Sequence, residues 1–311
     1  MPCIERVGTG FRMDSERKMG LLAGWGDFPL AVATALKQQD YQVYCLGIRD
    51  HADARLAQVC DDFRLVGVAK LGAHIRYFKR RGVRQATMAG KIFKDRMLFR
   101  RWGWLRHFPD WRCCRAFYPH FVARTRDRSD DTLMITMIEA YAEDGITFAP
   151  PTDFAPELLV KLGLLSGRTP NAAQQKDIEF GWRLAKELGR VDVGQTVVVK
   201  GQAALAVEAV EGTDACIRRA GQLCPQGGFT VVKVAKPQQD MRFDVPTIGV
   251  GTLRSIVEAG GKLLAIEAGK TIVVDEPAVV RFAQEHGLTV VAVQMDSPSA
   301  LVRPATSRLA S

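Results

Sequence analysis

The residues best suited to chemistry lie between Lys233 and Thr252, in the stretch KVAKPQQDMRFDVPTIGVGT. Lys233, Lys236 and Arg242 suit a phosphate, whose oxygens ammonium and guanidinium groups neutralise and hydrogen-bond. Asp240 and Asp244 suit a divalent cation or a water to be activated. Gln239 adds an amide that can donate and accept. Pro246 then turns the chain into a small-residue run that begins at Thr247. The preceding FTVVKV is apolar and β-branched and reads as a buried strand. A charged group at a strand exit is where an α/β scaffold usually carries a site. A solvated loop between two elements has the same composition, so residue types alone leave both readings open.

A second cluster precedes it. Glu211-Gly212-Thr213-Asp214 opens the helix CIRRAGQLC, and Glu208 ends the strand before it. A glycine, a hydroxyl and carboxylates at a helix start can hold phosphate or a metal. Simple capping by Thr213 or Asp214 explains the same residues. In the first half, the strand KMGLLA runs into Gly24-Trp25-Gly26 and then a helix near Pro29. Glycines there let backbone N–H groups approach a phosphate. Pro29 stands where a dinucleotide fingerprint needs its third glycine, so that fingerprint is incomplete and Pro29 reads as the start of the helix. Gly90-Lys91 follows another strand and suits an anion in the same way, although a lone lysine is most often just solvated. Asp130 falls in the first turn of a helix capped by Ser129, a structural role that leaves a binding role open.

These residues need scaffolding. Strand patterns at Lys18–Ala23, Tyr41–Ile48, Asp61–Gly67 and Arg84–Ala89 alternate with helical ones, which predicts a parallel, Rossmann-like sheet. Thr147–Thr169 is broken by proline and glycine and reads as the interdomain connection, with the linker at 151–170. The second half predicts a helix over 171–188 and strands at 196–200 and 204–209 joined by a Gly201-Gln202 hairpin. FTVVKV and strands at 263–267, 271–274 and 289–293 follow, with helices at 253–259 and 277–286. Residues 1–17 and 297–311 read as disordered extensions. The expected architecture is thus α/β with two domains, residues 18–150 and 171–296.

Composition narrows the class. Of 311 residues, 47% are hydrophobic and 25% charged, as in soluble globular proteins. The net charge of +9 points to an anionic partner: nucleic acid, an acidic membrane surface or a phosphorylated ligand. Seven scattered cysteines without a C-x-x-C pair argue against a zinc site or disulfide framework and fit a reducing cytoplasm. No apolar run reaches the roughly 18 residues of a membrane span. Lys94–Arg128 interleaves arginines with Trp102, Trp104, Trp111, Phe117, Tyr118 and Phe121. That mixture suits single-stranded nucleic acid, a membrane interface, or a helical insertion with its aromatics in the core.

The segments LLAGWGDFP, GRVDVGQTVVVKGQAALAVEAVEGTDA, KVAKPQQDMRFDVPTIGVGT and GLTVVAV together resemble the LpxI-type UDP-2,3-diacylglucosamine diphosphatases of lipid A biosynthesis. The resemblance runs from Lys18 to Asp296 and is slightest across Lys94–Arg128. It implies a two-domain fold with the active site in the interdomain cleft. It implies hydrolysis of UDP-2,3-diacylglucosamine to UMP and 2,3-diacylglucosamine 1-phosphate (lipid X), by water attack on the α-phosphorus with Mg2+ or another divalent cation. Asp244 matches the family's catalytic aspartate. Glu208, Glu211 and Asp214 become further metal or substrate ligands. Lys233, Lys236 and Arg242 become diphosphate neutralisers, and the Gly24–Pro29 turn and Gly90-Lys91 face the same cleft. The lipid substrate raises the membrane reading of the basic aromatic stretch, on the cytoplasmic leaflet of the inner membrane, over nucleic acid. A non-catalytic nucleotide or lipid-phosphate binding protein is the alternative, and the oligomeric state, a homodimer included, stays open.

Overall fold

The computed structural model describes residues 17–92, 107–123 and 130–295. The chain divides into two compact units, Met1–Ala149 and Pro150–Ser311. The first is built on five parallel strands, β1 (Lys18–Ala23), β2 (Gln42–Ile48), β3 (Asp62–Val66), β4 (Gln85–Ala89) and β5 (Thr147–Phe148). Their order is β3-β2-β1-β4-β5. This is the doubly wound order expected from the alternating pattern, and it reverses between β1 and β4, where such sheets open a crevice at their carboxyl ends. β1 is central, and every residue after Lys18 is buried. That is why KMGLLA carries no polar alternation.

The helices of this unit among the described residues are α1 (Phe28–Gln38), α2 (Leu56–Val59), α3 (Leu71–Arg81), α4 (Trp111–Phe121) and α5 (Asp130–Ala142). In α3, Leu71, Ile75 and Phe78 recur at helical spacing and are buried. Lys79, Arg80 and Arg81 fill its last turn, where cations favour the dipole, and Gly82 at φ 72° ends it. Phe28 is the first residue of α1 and Pro29 the second, one position later than the sequence suggests.

The second unit holds a mixed sheet of β6 (Gly163–Ser166), β7 (Thr196–Lys200), β8 (Ala203–Val207), β9 (Thr230–Lys233), β11 (Leu263–Glu267) and β13 (Thr289–Val293). Its order is β6-β13-β11-β9-β7-β8. β9, β11 and β13 are parallel, while β6 and β7 are antiparallel to their neighbours. A separate pair joins β10 (Thr247–Ile248) to β12 (Ile272–Val273). Period-two alternation divides the sheet between two cores. Val197, Val199, Val232, Ala265 and Val291 pack with Ile178, Trp182 and Ala185 of α6 (Ala172–Arg190). Val198, Val231, Leu264 and Val290 face the opposite core. That core takes Ile217 of α7 (Thr213–Leu223), Leu253 and Ile256 of α8 (Val250–Glu258), and Val279 of α9 (Glu276–Glu285).

The stretch read as a connection is partly built into the two sheets. Thr147–Phe148 is the fifth strand of the first, and Gly163–Ser166 is an edge strand of the second, paired with β13. Short strands between prolines carry too little pattern to be seen in sequence. The Gly201-Gln202 hairpin is present, with φ of 59° and 58° at its two residues.

Candidate active site

In the second unit the charged residues gather at the carboxyl ends of parallel β9 and β11. Lys233, the last residue of β9, is only 3% exposed. Its Nζ donates to Thr213 Oγ1 at 3.1 Å and to the Thr247 carbonyl at 3.3 Å. Thr213 Oγ1 in turn donates to Glu208 Oε1 at 2.8 Å. The Gln195 amide donates to Glu208 Oε2 at 3.4 Å. A buried ammonium and a buried carboxylate are thus joined through one hydroxyl, which satisfies both inside the protein. The cap of α7 is Gly212 at φ 80°, not Thr213 or Asp214. Thr213 is freed by that arrangement to bridge Glu208 and Lys233.

Three residues on, Lys236 Nζ lies 3.0 Å from Asp244 Oδ2 and 2.5 Å from Asp192 Oδ1. The Lys236 side chain is 12% exposed and that of Asp244 31%, so the aspartate faces solvent more than its partner does. The loop between them is cross-tied. The Lys236 amide donates to Gln239 Oε1 at 2.7 Å, Gln239 Nε2 donates to the Asp244 carbonyl, and the Asp244 amide donates to the Asp240 carbonyl at 3.1 Å. Arg242 pairs with Asp240 at 2.6 Å. The side-chain hydrogen bonds of that pair hold the Asp240 carboxyl below its ordinary range and the Arg242 guanidinium above its own.

Two residues that the sequence does not single out anchor this loop at its root. Glu267 Oε2, at the end of β11, accepts from the Ala235 amide at 2.8 Å, and Lys186 Nζ of α6 donates to the Ala235 carbonyl at 2.8 Å. Lys186 and Glu267 pair at 2.6 Å, and Lys270 reaches Glu267 at 3.1 Å. Burial holds the Lys186 ammonium below its ordinary range, outweighing the contact with Glu267. No spacing rule reaches these residues, since Lys186 lies 49 residues before Ala235.

Three of the four carboxylates expected around a metal are engaged separately. Glu208 is tied to Thr213, Glu211 pairs with Arg219 at 2.5 Å, and Asp244 pairs with Lys236. Among the described residues no three His, Cys, Asp or Glu converge on one point. A cage built wholly from protein ligands does not fit. The donor set suits instead the mode in which magnesium takes one carboxylate and completes its shell with water and phosphate oxygens. Asp244 is partly exposed and can serve so. Asp214 is the second candidate, because its Oδ1 is buried without a hydrogen-bond partner.

In the first unit the glycine turn and Gly90-Lys91 do meet at the β1/β4 switch point. The Gly24 amide donates to the Ala89 carbonyl, and Trp25 and Lys91 exchange amide–carbonyl bonds of 2.8 and 3.0 Å. These N–H groups are spent on each other, so the cradle predicted from the glycines is closed at Gly24, Trp25 and Lys91. Sterics account for Gly24, where a Cβ would lie 2.7 Å from the Lys91 carbonyl oxygen, and a φ of 106° accounts for Gly26. Asp27, the residue capping α1, pairs with Arg55 at 2.6 Å, and Trp25 remains 45% exposed beside it. Asp130 heads α5; Ser129 and most of the basic aromatic stretch lie outside the described residues. Within 107–123 the aromatics are not core: Trp111 is 84% exposed, and Tyr118 and Phe121 also face outward. Helix α4 is held by Asp110, which accepts from the Ala73 and Cys113 amides, and by Arg112, which pairs with Glu143 and Asp144.

A doubly wound parallel sheet followed by a mixed sheet, with charged side chains at the carboxyl ends of its parallel strands, defines a two-domain α/β protein. The models of the LpxI N-terminal domain and the LpxI C-terminal domain match residues 18–158 and 161–291. UDP-2,3-diacylglucosamine pyrophosphatase LpxI of Caulobacter vibrioides is 30% identical over 284 residues, 89% of this chain and 98% of that protein. The chain belongs to the LpxI family. A solved biotin carboxylase domain of Hydrogenobacter thermophilus 2-oxoglutarate carboxylase covers 60% of this chain and 35% of its own at 15% identity and a TM-score of 0.24, too slight a likeness to bear on fold or function.

Proposed function

We propose that this protein hydrolyses UDP-2,3-diacylglucosamine to UMP and 2,3-diacylglucosamine 1-phosphate, a step of lipid A biosynthesis. The observation that carries the reading is the Asp244–Lys236 pair: a partly exposed carboxylate and an ammonium 3.0 Å apart on one cross-tied loop. Water attacks the α-phosphorus, and the bond from that phosphorus to the bridging oxygen breaks. UMP keeps the incoming oxygen, and the bridging oxygen leaves on the sugar-lipid phosphate. Asp244 orients the water and accepts its proton. Lys236 meets the negative charge that develops on the diphosphate. A divalent cation carried with the diphosphate and ligated by Asp244 or Asp214 would supply further neutralisation of the phosphate oxygens. Arg242 and Lys233, both engaged within the protein, shape the loop.

Peripheral attachment to an anionic leaflet belongs to the same proposal. Its support is α4, whose outward Trp111, Tyr118 and Phe121 lie among Arg112 and Arg115, the composition of an interfacial helix. No helix among the described residues is long and apolar enough to cross a membrane.

The test is UMP release by purified protein with magnesium and UDP-2,3-diacylglucosamine. Asp244→Ala is expected to lower kcat at least about 100-fold while substrate binding survives. Tight binding with no UMP from the intact protein would instead favour a non-catalytic binding protein.

A further inference from the structure

Helix α6 ends in a way that points to a residue far in sequence from the loop that carries Asp244. The Asp192 amide donates to the Gly189 carbonyl at 3.2 Å, and the Val193 amide donates to the Leu188 carbonyl at 3.0 Å. These two bonds form a Schellman cap, whose left-handed position is ordinarily glycine. Here that position is Asp192, at φ 56°. A side chain there adds backbone strain that glycine would avoid. The Asp192 carboxylate nonetheless has a partner, Lys236 Nζ at 2.5 Å.

The same helix end also fits closely against the loop. A Cβ on Gly189 would come within 3.1 Å of Lys236 Cα and 3.2 Å of Pro237 Cδ. Gln238 Nε2 donates to the Arg190 carbonyl at 3.0 Å, closing the end of α6 with the loop's own side chain. The carbonyl end of α6 therefore lies under Lys236, where the negative end of its dipole favours an ammonium.

We propose that Asp192 is a positioning residue for the reaction at Asp244, acting through Lys236; this rests on the hydrolase reading above. Lys236 has two carboxylates to share. When Asp244 turns to the attacking water, Asp192 keeps the ammonium in place and aimed at the diphosphate. Without Asp192, Lys236 is drawn more fully to Asp244, and the base is held back from the water.

Asp192→Gly separates this role from a structural one, because glycine suits the backbone at φ 56° and removes only the carboxylate. The variant is expected to fold with an unchanged or higher Tm, while kcat for UMP release falls about tenfold or more and KM changes little. In a Lys236→Met background, Asp192→Gly should produce no further loss. Reductive methylation of the free protein, read by mass spectrometry, should show Lys236 labelled several-fold faster in Asp192→Gly. An unchanged kcat, a full additional loss in the Lys236→Met background, or unchanged labelling would overturn the proposal. Absence of UMP release from the unaltered protein would sink the hydrolase reading instead, and the labelling comparison would still decide whether Asp192 holds Lys236.

Discussion

Lys186 and Glu267 grip the two polar groups of a single residue: the ammonium takes the carbonyl of Ala235 and the carboxylate takes its amide, while the two side chains pair at 2.6 Å. Ala235 is the last residue before Lys236. The direction in which the charged loop leaves the sheet is therefore set by a pair drawn from a helix and a neighbouring strand. Removing the ammonium leaves Glu267 with Lys270 as its remaining cation and the Ala235 carbonyl without this donor. Lys186→Met should lower stability by roughly 2 kcal/mol in urea unfolding. Glu267→Gln keeps an acceptor for the Ala235 amide and should cost less.

The hydroxyl between Glu208 and Lys233 predicts a second effect. Thr213→Val keeps shape and β-branching and deletes only the bridge, leaving a buried ammonium and a buried carboxylate each short of a partner. A loss of about 1–2 kcal/mol is expected. Thr213→Ser should retain most of the stability, and an equal loss in both variants would show that the methyl group, not the hydroxyl, matters.

The closed turn in the first unit makes a third prediction. Gly90 has φ 92°, and a Cβ there would lie 2.8 Å from Gly24 C and 2.9 Å from the Trp25 carbonyl oxygen. Gly90→Ala should destabilise the protein by about 2 kcal/mol even without any nucleotide present. A variant as stable as the parent but weakened in UMP binding would restore the phosphate role of this turn.

A buried histidine gives the pH dependence. His74 is fully buried between the Gly67 carbonyl and the Tyr141 hydroxyl, each at 2.9 Å. A carbonyl only accepts, so Nε2 carries the proton and Nδ1 accepts from Tyr141. Burial pushes the His74 pKa down from 6.5 to about 4. The unfolded chain therefore binds the proton first as pH falls. The native-state advantage of a neutral His74 is complete above pH 6.5 and shrinks progressively towards pH 4. Denaturation midpoints should fall across that window, and His74→Gln should show a shallower slope there. Equal slopes would place the acid sensitivity elsewhere.

Local chemistry made much of this legible. Short apolar runs alternating with helical patterns announced both sheets, and Gly201-Gln202 announced its hairpin, because strand composition and turn chemistry are written into neighbouring residues. Asp244 and Lys236 stood out as charges at a strand exit. What could not be read were the partners. Asp192 and Lys236 are 44 residues apart, and Lys186 and Glu267 are 81 apart, so their pairing exists only after the sheet has formed. The same gap hides where Glu208 and Glu211 turn, since residues close in sequence reach different partners, Thr213 and Arg219. β5 and β6 escaped notice because two and four residues carry no periodicity.

The position of β6 has a consequence for synthesis. It is the first strand of the second unit to leave the ribosome, yet its place is beside β13, the last, with Leu164 opposite Val291. Until residue 293 has emerged, Gly163–Ser166 has no neighbour to bond. The second sheet can gain its outer edge only after nearly the whole chain has been translated, whereas the first unit's strands are all available by Phe148. Folding is thus ordered from the amino end. Nascent chains halted before Thr289 should show a protease-resistant first unit and an unprotected β6.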